Sequence, residues 1–570
     1  MISDYKRQFV LLLLFAAAIL LAGIGLRDPW PADEPRFALI ARDMVASGNW
    51  LLPYVGGVIY PDKPPLFFWA IAAFYTLTDS LRVSFLLPGA LAGIGTIVLV
   101  TDLGRRLWGP TTGIWCGAVL LALVQFPIQM KSGQIDGLLC FWTTLGLYGF
   151  SRHLLLGPDW RSYTIGGMAA GLGVITKGVG FLPYLIFIPY VLAVRRNWSV
   201  LRHTGRDARW LLAPAASLLA IGIWLVPMLV ATSGNDDPTL TAYRDNILFH
   251  QTVTRYADSW GHIKPPWYLF TNAIPWLWLP LTPLLPWLIP AWRRDIKGKN
   301  AATLLLGSWL LLVLLFFSIS MGKRSLYIFP AAPALALIAG FHAQALMRRA
   351  GPQRVIALFP VVLALVLIAV AMYALMNPHA IDRWVTDVPT ILKASASVVV
   401  TGILMLAVIA VFRRRQCLKG FVTTMAIFWI AVSILVAPAI NETRSGGALM
   451  ASLEARLPAN TTLGFVAWPE QFVLQWDKPV NHFGFRRDAA AQVSDAVRWL
   501  SFSENRRVLL PDHLVDSCLD SNQVIPVGIA HRRRWVLASR SALIDSCDTG
   551  LPAPQLVVYY SPPGRSGSAQ

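Results

Sequence analysis

Charge is what this chain has least of. Of its 570 residues only 14% are Asp, Glu, Lys or Arg, against 55% hydrophobic residues, a balance that a soluble core of this size does not need. Acidic residues are the scarcer sign, 30 against 49 basic ones. That excess does not make a nucleic-acid binder, because Lys and Arg fall in short clusters between apolar runs and not on one basic face. Cysteine is also sparse, with five residues and no His/Cys set at metal-ligand spacing, so only carboxylates are left as candidates for a divalent cation. No internal repeat is visible at any period.

What the chain does have is long apolar runs and 23 tryptophans, the profile of a multi-spanning membrane protein. The run "FVLLLLFAAAILLAGIGL" after Lys6 and Arg7 exceeds the apolar core of a secretory signal, so it reads as an uncleaved first span. Basic clusters at 105–106, at Arg152 with Arg161, and at 195–209, 293–299, 347–354 and 413–419 assign their loops to the cytoplasm. The spans between them are 9–26, 83–103, 112–130, 137–151, 163–176, 179–194, 210–230, 273–292, 301–320, 327–347, 355–375, 391–412 and 421–440, or about 13. The parity requires "LFFWAIAAFYTLT" (66–78) to be a juxtamembrane helix, as its shortness suggests.

Residues 27–82, 131–136, 231–272, 321–326 and 376–390 then face outside, as does everything after about 441. The expected organisation is a mainly α, polytopic domain over 1–440, with large outer loops 27–82 and 231–272, followed by a small α/β domain over 441–570. In that second part "LGFVAW", "QFVLQW", "RVLLP", "RRRWVLAS" and "QLVVYY" read as strands, residues 487–502 as a helix and "SPPGRSGSAQ" as disordered. Cys116, Cys140 and Cys417 lie in or beside apolar segments, while Cys518 and Cys547 each sit in "DSC". The latter two could pair only in an oxidising compartment, free thiols being the alternative.

On this topology Asp33, Glu34, Arg36, Asp62, Lys63, Asp136, Lys177, His250, Arg255, His262, Lys323, Arg324 and Tyr327 collect at the outer membrane face. A lone Lys or Arg there can simply snorkel to headgroups, whereas a carboxylate at membrane depth is costly and usually has a partner or a task. Asp136, at the start of a span, has a second reading as a favourable helix N-terminal charge. The tryptophans of "HIKPPWYLFTNAIPW" (262–276) read as an interfacial belt. Carboxylates beside several cations at a lipid interface suit a base that handles an acceptor hydroxyl, plus clamps for a phosphate leaving group. A sugar carried on a polyprenyl phosphate offers that combination.

At these residues a family resemblance becomes usable. "DEPRFALIARDM", "GNWLLPYVGGVIYPDKPPLFFW", "QIDGLL", "GLGVITKG" and "KRSLYIFPAAPALAL" resemble successive signatures of the GT-C family that contains protein O-mannosyltransferases and 4-amino-4-deoxy-L-arabinose lipid A transferases. The resemblance runs over roughly residues 5–350. It implies a GT-C fold in the bacterial inner membrane and no nucleotide-sugar site. It also implies inverting transfer of a pentose or hexose from undecaprenyl phosphate to lipid A or another envelope glycolipid. Carried over by position, Asp33 resembles the essential acid of the first outer loop, with Glu34 its neighbour and Arg36 the basic residue that keeps Asp33 ionised. Asp136 resembles the acid of the second outer loop, and Asp62 and Lys63 the acid and lysine before the juxtamembrane helix. Arg36, Lys63, Lys177, Tyr327 and Arg255 or His250 are donor-phosphate candidates on this resemblance, and Asp62, His250 and His262 are substrate-side candidates. Asp62 stands where the aminoarabinose branch usually has Glu, and Phe37 where it often has Tyr, which bears on the sugar. A metal is an open question, a divalent cation being the one cofactor considered. The alternatives are transfer to protein or polysaccharide and, in another class, a lipid-linked sugar transporter, which usually carries inverted repeats and midplane polar residues.

Overall fold

The computed structural model describes residues 2–196, 198, 207–234, 236–249, 263–378, 388–412, 416–544, 547 and 554–563. Each of the thirteen apolar segments coincides with helix. Among the described residues, eight helices are each long and apolar enough by themselves to span a bilayer: Leu81–Trp108, Gly178–Arg195, Ala208–Thr232, Ala301–Ile319, Ser325–Leu346, Ala350–Met376, Pro389–Val411 and Cys417–Ala439. The chain is therefore a multi-pass membrane protein, with a ninth crossing if Leu269–Leu277 and Thr282–Lys297, bent by 98°, count together. The expected straight span 273–292 is thus broken. Its run carries Pro275, Pro280, Pro283, Pro286 and Pro290, each of which withdraws an amide from the helical ladder. Span 112–130 is likewise interrupted, as Pro110–Ala122 and Gln125–Met130. Leu66–Thr78 is a separate short apolar helix.

Small residues decide which helices lie at the centre. In Ser325–Leu346 78% of the apolar window is buried, against 22% in Ala350–Met376, so the first is the bundle's axis and the second is largely left to lipid. "AAPALALIAG" (331–340) makes this possible. A Cβ on Gly340 would stand 2.6 Å from the Cα of Cys116, so the two backbones touch, as small residues permit in membrane bundles.

Outside the bundle lie two sheets. The first outer loop folds into the helix Glu34–Ser47 and a hairpin of β1 (Tyr54–Val55) and β2 (Val58–Ile59). The C-terminal part forms β3 (Thr462–Phe465), β4 (Val480–His482), β5 (Arg506–Pro511), β6 (Ile525–Ala530), β7 (Arg533–Ser539) and β8 (Val558–Tyr560). These make one mixed sheet in the order β6-β7-β5-β3-β4-β8, with β3 parallel to β4 and β5 and the other pairs antiparallel. "QFVLQW" departs from expectation: its first residues form a helical turn, Glu470–Val473, buried throughout, so its apolar alternation reflects burial on all sides and not strand period. A disulfide joins Cys518 to Cys547, with their Cα atoms 5.6 Å apart. Most of the expected disordered tail (564–570) lies outside the described residues.

Strand alternation gives this sheet two buried faces. Val466, Val508, Leu510, Val536 and Ala538 pack under the helix Ala489–Ser501. Leu463, Phe465, Leu509, Trp535, Leu537 and Tyr560 share a core with Phe37, Ile40, Val55, Tyr60, Phe67 and Phe68 of the first outer loop. The C-terminal sheet and the first loop are therefore packed as one body. Trp468 lies so tightly on Gly56, at φ +59°, that a Cβ there would strike its indole. The Tyr560 hydroxyl donates to Asp43 (2.6 Å) and accepts from Arg42 (3.1 Å), and burial pushes Asp43 up to about 6. His482 is buried, donates from Nε2 to the Gly56 carbonyl (2.9 Å) and accepts at Nδ1 from the Gly484 amide (3.2 Å). Burial holds its imidazole down at about 4.

A folded-state value below the unfolded value of about 6.5 means that neutral His482 contributes stability fully above pH 6.5, lost as pH falls through 4. Asp43, raised, has the opposite sign, so the two must be separated by mutation. We expect wild type to lose about 2 kcal/mol relative to His482→Gln between pH 7 and pH 4.5. Thermal melts of both proteins across that range would show a parallel, pH-independent offset if His482 did not carry the effect.

Candidate active site

The site begins with how the helix Glu34–Ser47 starts. Asp33 is its N-cap residue, where negative charge is favoured by the helix dipole, yet its carboxylate makes no capping bond to the backbone amides. Its neighbours are cations instead: Arg324 at 3.5 Å from Oδ2 and Arg36 at 4.0 Å from Oδ1. Arg324 comes from the turn between spans Ala301–Ile319 and Ser325–Leu346, which Lys323 fixes by donating to the carbonyls of Ser320 and, at 2.9 Å, Lys264.

Glu34, one residue on, is different in kind. Arg27 donates to both its oxygens (2.5 and 2.8 Å), and the amides of Trp30 and Gly133 each add a bond at 2.9 Å. It is buried and both its oxygens are fully bonded, where those of Asp33 are only flanked. Arg36 also differs from expectation. Its main partner is Glu470 of the C-terminal part, with Nε 2.7 Å from Oε1, while Asp33 is only at its margin. Burial opposes its charge, but Glu470, with Tyr60 and Asp33, raises the guanidinium above its usual range.

Asp62 is gripped by Arg486, again from the C-terminal part, and the Lys63 ammonium donates to the Asp62 carbonyl at 3.0 Å. Tyr60 ties these groups together. Fully buried, its phenol is pushed up by burial, with Arg36 and Arg486 opposing the rise. The guanidinium of Arg486 stands 5.7 Å from its ring. Phe37 is also buried, 5.7 Å from the Phe67 ring and 5.4 Å from that of Phe68, so it lines the packing beneath the site.

A second group lies further along. Asp136, in the first turn of the helix Ile135–Leu155, accepts from Lys177 at 2.7 Å, and the same ammonium sits 4.8 Å from the Tyr327 ring centre. Tyr327 belongs to the turn that carries Arg324, its amide donating to the Arg324 carbonyl at 3.0 Å. One short turn thus supplies a side chain to each group. His250, Arg255 and His262 lie outside the described residues. Among the described residues no three His, Cys, Asp or Glu side chains are grouped to hold a metal. Sequence reasoning missed Tyr60, Glu470, Phe485 and Arg486. Of these only Tyr60, two residues before Asp62 in "YPDKPP", stood inside a stretch already singled out.

Three comparisons bear on this arrangement. Residues 62–228 match the family model of dolichyl-phosphate-mannose-protein mannosyltransferases. In sequence the chain is similar to an undecaprenyl phosphate-alpha-4-amino-4-deoxy-L-arabinose arabinosyl transferase of Pseudomonas savastanoi pv. phaseolicola, 31% identical over 59% of this chain and 61% of that one. A second such transferase, from Pseudomonas fluorescens, is 28% identical over 82% of this chain and 79% of its own. The alignment thus spans about three-fifths of the first of these relatives. In fold it is similar to ArnT from Cupriavidus metallidurans bound to undecaprenyl phosphate, with a TM-score of 0.69 at 21% identity, covering 97% of this chain and 100% of that one. Family model, sequence relatives and fold agree with the GT-C resemblance carried by the motifs.

The contrast between the two adjacent acids is measurable as stability. Glu34→Gln leaves Arg27 buried and unpaired, and should cost about 3 kcal/mol or more. Asp33→Asn should cost well under about 1 kcal/mol, as expected of a partly exposed pair. Thermal unfolding in detergent that ranked the two variants the other way round would overturn this division of roles.

Proposed function

We propose that this multi-pass protein of GT-C fold transfers a sugar from an undecaprenyl-phosphate carrier to lipid A or a related envelope glycolipid. Transfer would take place at the periplasmic face of a bacterial inner membrane. The observation that carries the reading is the state of Asp33: a carboxylate at the bundle's outer mouth, unspent on its own helix and flanked by Arg36 and Arg324. The resemblance of sequence and fold to aminoarabinose transferases supports the same reading.

In this proposal the acceptor hydroxyl lies against Asp33, which orients it and takes up its proton as the oxygen attacks the anomeric carbon. The bond from that carbon to the phosphate oxygen breaks in line, and the configuration inverts. Charge then grows on the departing polyprenyl phosphate, whose lipid tail stays in the bilayer while its headgroup meets cations. In this reading Lys63 and Arg324 receive it, together with Arg36. Lys177, held by Asp136 and capped by Tyr327, supplies a further positive group for a phosphate. In this reading Asp136 fixes the Lys177 ammonium and is not a second base. Asp62, neutralised by Arg486, shapes the wall towards the substrate. Arg255, His250 and His262 are assigned to the donor side by the resemblance alone. The sheet domain and the inner loops would lie on opposite sides of the membrane, as the basic clusters require.

Asp33→Asn keeps shape and hydrogen-bonding reach but removes charge and basicity. Turnover should fall by about 100-fold or more with donor binding nearly intact. Lys63→Ala should instead weaken donor use. The substrate pair is tested by mass spectrometry of lipid A from cells with and without the protein: a sugar adduct that depends on it is expected. Unmodified lipid A together with labelled protein or polysaccharide would transfer the acceptor assignment to those molecules.

A further inference from the structure

The outer sheet domain does more than cover the site. We propose that Glu470 is a positioning residue, which draws the Arg36 guanidinium off Asp33 and so leaves that carboxylate available to an acceptor hydroxyl. This inference rests on the reading of Asp33 given above.

Four observations support it. First, Arg36 stands between two carboxylates and is shared unequally, 2.7 Å from Glu470 and 4.0 Å from Asp33. An arginine normally binds a carboxylate with two parallel N–H bonds, and nothing in its position one turn along the helix prevents it from doing so with Asp33. The rival carboxylate does. Second, Glu470 is buried, and among the described residues Arg36 is the one donor to its carboxylate. A buried acid with a single partner is costly to keep, and its geometry serves Arg36 alone. Third, Phe485 lies 5.5 Å from the Arg36 guanidinium on another side, so the fork is held by a ring as well as by the acid. Fourth, the charged and titratable groups around the pair come from separate elements: Tyr60 after the hairpin faces both, Glu470, Phe485 and Arg486 on the sheet domain face Arg36, and Arg324, 3.5 Å from Asp33 on its other oxygen, faces Asp33 and stays in every variant compared.

The consequence has a definite sign. Without the Glu470 carboxylate, Arg36 closes on Asp33, competes with the acceptor hydroxyl for its oxygens and holds it ionised to lower pH. A merely structural Glu470 would lower the amount of folded protein without moving the pH dependence of the fraction that folds.

The test compares wild type, Glu470→Gln, Glu470→Asp and the double variant Arg36→Gln/Glu470→Gln, all full-length and reconstituted in vesicles. One readout is sugar transfer from the undecaprenyl-phosphate donor to lipid A across pH. The other needs no activity: pH-dependent labelling of Asp33 by a water-soluble carbodiimide, which takes up the proton of the acid and is then attacked at its central carbon by the carboxyl oxygen, mapped by peptide mass spectrometry. Glu470→Gln should lower kcat about tenfold at neutral pH with donor KM changed no more than about twofold. Its acidic limb and its Asp33 labelling should both move to lower pH. The double variant, with the competing arginine gone, should reverse both shifts and carry them to the wild-type position or to higher pH. Glu470→Asp, which retracts the acid by one methylene, should show a smaller shift of the same sign, and it answers the question if Glu470→Gln does not fold. Wild-type pH dependence in Glu470→Gln or Glu470→Asp, or a shift that persists in the double variant, overturns the proposal. If wild type itself transfers no sugar, the functional reading fails, and the labelling decides the placement of Arg36 by itself.

Discussion

The buried pair of Arg27 and Glu34 is the constraint from which the outer face is built. A carboxylate and a guanidinium out of water are tolerable only when their hydrogen-bonding capacity is met, and here both oxygens of Glu34 are met from three directions: Arg27, the Trp30 amide and the Gly133 amide. Arg27 is enclosed in turn by the rings of Trp30 at 4.5 Å and Phe85 at 5.0 Å. Next to it Asp28 binds Arg82 (2.6 Å) and Asn441 (2.7 Å), and Lys131 donates to the Ile19 and Ala22 carbonyls at 2.7 Å, where the first helix ends. The exits of four membrane segments are thereby fixed to one point. The helix that starts at Glu34 has no freedom of direction, and Asp33 is aimed by its neighbour's bonds, since its own carboxylate makes none to the helix.

From that anchor the polar residues sort themselves by how completely they are satisfied. Glu34 has no capacity left; Asp136 has one strong partner; Asp62 is held by an arginine from another part of the chain; Asp33 is only flanked. Acids that are fully bonded hold structure, and the incompletely bonded one is where a substrate group can be bound without first breaking a bond. The lower half of the molecule follows a different rule. There close helix packing, set by Ala and Gly, fixes the axis helix that presents Arg324 and Tyr327 at its outer end.

Lipid imposes a pattern that sequence displays openly, which is why the apolar segments, the short helix 66–78 and the strands β3, β5, β7 and β8 were all legible. The break within 273–292 was not, because five prolines between 275 and 290 mark a bend without giving its angle. Asp33 stood out through its motif. Glu34 looked equivalent, although Arg27, seven residues earlier, was a local clue to its burial. Glu470 and Arg486 could not be found at all: their partners are 434 and 424 positions away, and an ion pair over that distance leaves no periodic or spacing signal. The turn at Glu470 was concealed further by "QFVLQW", in which burial on every side imitates alternation.

Those separations also impose an order on biosynthesis. Asp43 in the first outer loop meets Tyr560, 517 positions later, on the last described strand. Contacts of such range form late and slowly. The nascent first loop must therefore wait, with Phe37, Tyr60, Phe67 and Phe68 uncovered, while every remaining span is made. Only when the strands of the C-terminal sheet have followed does that loop find the apolar face it packs against. A ribosome that stalled before the C-terminal sheet was made would leave a bundle with its helices in place and that apolar surface still uncovered.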